Sequence, residues 1–170
     1  MRSLQIVFVL LLMFFVSAAK AQEYTQAQDK VKSLYVYNFI KDIIWSSYTI
    51  SGEVNVCVLG RAELFEEVRK ISSRQVNGRT IAVNQVSGLS GCVRCDMIFV
   101  EENAWIDSKK EKDCRSLIVT DGFFDKALSN VVLMFKDQRL QFSVNQELCD
   151  KQGYKVSSHL ISLSNRDLIK

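Results

Sequence analysis

Residues Val54 to Gly60 read VNVCVLG, and the fold turns on that run. Its valines and leucine predict a strand, and Gly60 marks the turn that ends it. So little polarity along a strand implies that both of its faces are covered, the condition of a parallel sheet sandwiched between other layers. The next residues, AELFEEVRKI, place Leu64, Phe65, Val68 and Ile71 at helical intervals. Strand, glycine and helix in that order open an α/β unit.

The same reading extends along the chain. Asn77-Gly78 predicts a turn before a second strand, TIAVNQV. DMIFV and SLIVTDG predict a third and fourth strand, with a weaker helix between them from Ala104 to Asp113. FFDKALS predicts a short helix, and VVLMF and RLQFSV around Lys136-Asp137-Gln138 predict a hairpin. NQELCDKQG predicts a helix capped by Asn145 and stopped by Gly153. The tail YKVSSHLISLS fits strand or helix equally. The expected architecture is α/β and three-layered: a mostly parallel sheet with an antiparallel hairpin edge and helices on both faces.

Upstream, Arg2 precedes an apolar run from Leu4 to Val16, and Ala19-Lys20-Ala21 has the form of a cleavage site. Residues 1–21 therefore read as a secretory signal peptide, leaving residues 22–170 as one exported domain. The apolar run is shorter than the roughly 20 residues a membrane span needs. Cleavage removes Arg2 and Lys20 and no acid, lowering the net charge from +3 to +1. So small a net charge argues against nucleic acid as a partner.

Five cysteines, Cys57, Cys92, Cys95, Cys114 and Cys149, remain after cleavage. Cys92-x-x-Cys95 fits a metal clamp, a redox dithiol or a disulfide framework. A redox dithiol belongs at a helix start, whereas Cys95 runs into the strand DMIFV. Zinc would need about two more ligands, and no second close pair exists. Outside the cytosol structural pairing is favoured. Cys57 and Cys95 come within reach if their strands are parallel neighbours, and Cys92 with Cys114 is a possible second pair. Cys149 is then the odd thiol, expected to be buried and inert.

Gly60 invites a nucleotide-site reading, but RAELFE follows without further glycines, so an ordinary turn is expected. His159 has no nucleophile or carboxylate motif around it. Asp121-Gly122 falls at the carboxyl edge of the sheet, where α/β proteins bind ligands, yet one acid favours a turn or cap.

Tyr24 to Trp45 carries apolar residues at helical spacing, with Thr25 and Gln28 as a possible capping box. From Leu34 to Trp45 only Asn38, Lys41 and Asp42 break the apolar run. A helix on a sheet needs an apolar stripe of about 100°, and this one exceeds it. The excess points to a dimer or partner interface formed by Leu34, Tyr35, Tyr37, Phe39, Ile40, Ile44 and Trp45, because aromatic side chains are the usual anchors.

YVYNFIKDIIW after a signal peptide, VCVLG, VNGRTIAV, CDMIFV and the ending RLQFSVNQELCDKQGYKVSSHLISL together resemble the YfiR-like family of periplasmic regulatory proteins. The likeness spans nearly all of the mature chain in order. It implies a non-enzymatic periplasmic protein of α/β fold, needing no cofactor or metal, that tends to dimerise. It also implies redox-sensitive repression of a membrane-bound signalling protein, a diguanylate cyclase or sensor kinase, through that protein's periplasmic domain. Cys57 and Cys95 match positions where such proteins carry a cysteine pair. Two other readings remain open, a periplasmic small-molecule binding module and a thiol–disulfide oxidoreductase.

Overall fold

The computed structural model describes residues 24–45, 52–89, 94–102, 104, 115–123, 125–136 and 138–169. Residues 24–42 form the first helix, α1. It is already helical at residue 24, so Thr25 lies within it and is not its cap. The helix gives way to a two-residue strand, β1 (Ile43–Ile44). Then follow β2 (Glu53–Leu59), α2 (Ala62–Arg69), β3 (Gln75–Val76) and β4 (Arg79–Gln85). Next come β5 (Met97–Val100), β6 (Leu117–Asp121), β7 (Val131–Lys136) and β8 (Arg139–Val144). The last elements are α3 (Gln146–Gln152), β9 (Lys155–Val156), α4 (Ser158–Leu163) and a 3-10 turn at Arg166–Ile169.

Seven strands make one sheet in the order β3-β4-β2-β5-β6-β7-β8. β2, β4, β5, β6 and β7 run parallel, while β3 and β8 close the two edges antiparallel. This is the mostly parallel α/β sheet with an antiparallel hairpin edge that the unbroken apolar strands predict. From β2 the chain crosses over α2 to β4, then returns past β2 to β5 and onward. The strand order therefore reverses between the carboxyl ends of β2 and β5, the switch point of a doubly wound sheet.

Alternate residues divide the core in two. Val54, Val56 and Val58 of β2 face the same way as Met97, Phe99, Leu117, Val119, Val131 and Leu133, against Val36, Phe39 and Ile40 of α1, Leu64 and Val68 of α2 and Cys149 of α3. On the opposite face Cys57, Leu59, Ile98, Val100 and Ile118 pack with Leu89, Cys95 and Leu128 and with partly buried Val86, Ala104 and Phe123. Among the described residues all packed helices lie on the first face. The helix expected from Ala104 to Asp113 falls almost wholly outside the described residues.

Some local expectations change. FFDKALS makes a turn at residues 126–128, where the Asp125 carboxylate accepts from the Ala127 backbone and competes with helix formation. The ambiguous tail is strand and helix in succession. β9 pairs antiparallel with β1, and α4 is capped by Ser157, whose hydroxyl accepts from Leu160 N–H. Asn145 caps α3 by accepting from Leu148 N–H, and Gly153 ends it at φ 82°. No helix of the described residues is long and apolar enough to cross a membrane.

Candidate functional site

α1 lies across the first face of the sheet and links two polar centres, one at each end of the strands. Of the seven residues expected on its interface, Phe39 and Ile40 are fully buried in the core of the chain itself. They hold the helix down and present no surface, which corrects that part of the expectation. Tyr35 is half-buried, its ring edge-on to Phe39 and Phe142 and its hydroxyl 3.4 Å from the Leu140 carbonyl. Leu34 and Ile44 remain 47% and 62% exposed, and Tyr37 and Trp45 are half-buried.

Around Tyr37 and Trp45 the face is cationic. The Arg74 guanidinium sits 5.5 Å from the Tyr37 ring centre, and that of Arg79 sits 5.8 Å from the Trp45 ring. Trp45 packs edge-on against Tyr154 and donates from its indole nitrogen to the Ile40 carbonyl. Asn77, in the β3–β4 turn, donates to the Lys41 carbonyl at 3.4 Å. Lys155 stands opposite Ile44 in the β1–β9 pair.

At the other end, the switch point is filled by ion pairs. Asp29 and Lys32 reach down from α1. Arg61 comes from the turn after β2, Glu101 from the end of β5 and Asp121 from the end of β6. Lys32 Nζ lies 2.5 Å from Asp121 Oδ2, and the Arg61 guanidinium lies 2.6 Å from both Asp29 and Glu101. The Arg61 backbone N–H also donates to Glu101. Asp29, Lys32, Glu101 and Asp121 are all buried. Burial pushes the Asp121 carboxyl above its ordinary pKa; Lys32 opposes the rise, and Glu101 and Glu102 add to it. A Cβ on Gly60 would meet Glu101 Oε2 at 2.8 Å, so the turn is glycine because the carboxylate occupies the side-chain space. Asp121 thus sits at the carboxyl edge as the sequence suggests, but within a network that sequence reading misses. Three strand-end or turn positions carrying charge, Arg61, Glu101 and Asp121, were the signal available.

Cys57 and Cys95 form a disulfide with 5.8 Å between Cα atoms, joining β2 to the residues leading into β5. Cys92 and Cys114, the possible second pair, lie outside the described residues. Cys149 is a buried free thiol, its pKa pushed up to about 11 by burial. His159 is exposed on α4. Among the described residues no cluster of three or more His, Cys, Asp or Glu is arranged to hold a metal ion.

Fold and site together define a disulfide-braced α/β domain whose first helix leaves Leu34 exposed beside half-buried Tyr37, with exposed Ile44 and half-buried Trp45 just beyond its end. The chain belongs to the YfiR/HmsC-like family, whose model matches residues 29–165. That is a family of periplasmic regulators of signalling, regulatory and not enzymatic in character. No curated protein matches the chain.

Proposed function

We propose that this protein is a periplasmic regulatory binding protein. It docks through the outer face of α1 and the adjoining β1 segment on the exported domain of a membrane signalling protein, a diguanylate cyclase or sensor kinase, and biases that protein between two states. A regulator of this kind acts through its differential affinity for the two states. The observation that carries the reading is the exposure of Leu34 and Ile44 beside half-buried Tyr37 and Trp45. Aromatic and aliphatic anchors grouped on one face are what a protein interface requires. The crevice at the strand carboxyl ends, where a small ligand would sit, is occupied by ion pairs of the chain itself, which favours docking over the small-molecule reading. The Cys57–Cys95 bond makes the activity redox-sensitive by keeping the docking fold intact.

Self-association, in this proposal, uses the first half of α1, where Tyr24 and Val31 are exposed. The test is a Leu34→Asp, Ile44→Asp double variant. It keeps the circular dichroism of the parent and loses binding to the exported domain of the signalling protein recovered with it. Parental binding by a folded double variant would end the docking assignment. Sedimentation velocity of Val31→Asp against the parent tests the dimer.

A further inference from the structure

The surface around the C-terminal end of α1 is more specific than an apolar face. Lys41, Arg74 and Lys155 are exposed, and none makes an ion pair among the described residues. Arg79 lies over Trp45 beside them. Among the described residues the acids near it are Asp42, next to Lys41, Glu53, opposite Thr80 in the β2–β4 register, and Asp96, whose charge acts on Tyr154 behind Trp45. The local balance is thus positive on a chain of nearly neutral mature charge. Arg74 and Arg79 each hold a guanidinium over an aromatic ring, those of Tyr37 and of Trp45, the residue after exposed Ile44. A guanidinium held in this way matches the two oxygens of a carboxylate.

We propose, resting on the docking reading above, that this patch receives an acidic segment of the partner protein, with an apolar side chain seated against Ile44 and Trp45 and carboxylates on Arg74, Lys41 and Lys155. A second copy of the chain is the wrong occupant. A two-fold contact brings the same patch onto itself, and here it would set cations against cations. An anionic membrane is disfavoured as well, because lipid headgroups are gathered by runs of flexible basic residues near an apolar helix, whereas these cations are dispersed over α1, the β3–β4 hairpin and β9.

The test places a photoreactive benzophenone side chain at Ile44 in the exported protein in cells, and the crosslinked peptides are sequenced. Arg74→Gln with Lys155→Gln is compared in parallel, both sites being exposed so that folding is retained. The expected result is a crosslinked segment from another protein in which acids outnumber bases. Association should weaken as salt rises, and the double variant should lower affinity about tenfold. A neutral or basic partner segment, or a peptide of this same chain, overturns the proposal and leaves docking standing. So does flotation of the purified protein with phosphatidylglycerol vesicles when no peptide is crosslinked. If neither protein nor vesicle is captured, the docking reading falls with it.

Discussion

Asp121 closes β6 with its carboxylate buried against Lys32, and burial outweighs that partner in setting its pKa. The ordinary value is 3.8, and the folded value is higher. Between the two, the folded chain holds more protons than the unfolded chain, so stability must fall as pH rises through that window. The advantage is fully present below 3.8 and is lost as pH passes the folded pKa. Urea unfolding across this acid range should show a more positive dependence of stability on pH for Asp121→Asn than for the parent, and superimposable slopes would disprove the assignment. Gly60 supplies a second case. Its neighbour Glu101 is pinned by Arg61 through both backbone and side chain, so it yields little space to a new methyl. Gly60→Ala should therefore cost roughly 1–3 kcal/mol in the same assay. Asp121 and Gly60 were visible in the sequence as strand-end residues. Their partners Asp29 and Lys32 were not, because they come from a helix whose placement over the sheet no local pattern encodes.

α1 reads as one helix from Tyr24 to Trp45, yet it stops at residue 42. The reason lies more than a hundred residues away, where Lys155 and Val156 pair with Ile44 and Ile43 and draw the β-branched end into a strand. Helical periodicity is a local signal and carries no trace of that partner. The same limit explains Phe39 and Ile40. An apolar run longer than one stripe shows that excess surface exists, but only the packed sheet shows which residues fill the core. Tyr35 marks the boundary between the two roles. Its ring bridges Phe39 and Phe142, tying α1 to β8. Tyr35→Ala should therefore lower unfolding stability by about 2–4 kcal/mol, whereas Leu34→Ala, at an exposed position, should stay within about 0.5 kcal/mol. Equal effects of the two in thermal or urea unfolding would refute this division of the helix.

Across the whole molecule, the sheet separates two jobs. α1, with the face proposed for docking, covers one side, while Cys57 and Cys95 sit in the cluster on the other. Apolar strands made the buried parallel sheet legible, because a strand covered on both faces tolerates few polar residues. Their spatial order was not legible, since β2 lies between β4 and β5 through a reversal that no single stretch records. The disulfide needed only that β2 and β5 be neighbours, and it spans a sequence separation of 38. Closing a loop of that size contributes about 4 kcal/mol, a large share of the 5–15 kcal/mol typical of a domain. In the proposed regulator, redox sensitivity therefore follows from global stability and not from contact with the partner. The Cys57→Ser, Cys95→Ser double variant should unfold at clearly lower urea. At a low temperature where its circular dichroism is still native, it should bind the partner as the parent does. Near the physiological temperature both fold and binding should be lost together, and Cys149, buried in the native core, should become open to alkylation over the same range. A double variant that is fully folded yet cannot bind would show instead that the bond shapes the α1 face directly, through the β2 and β5 strands on which that helix rests.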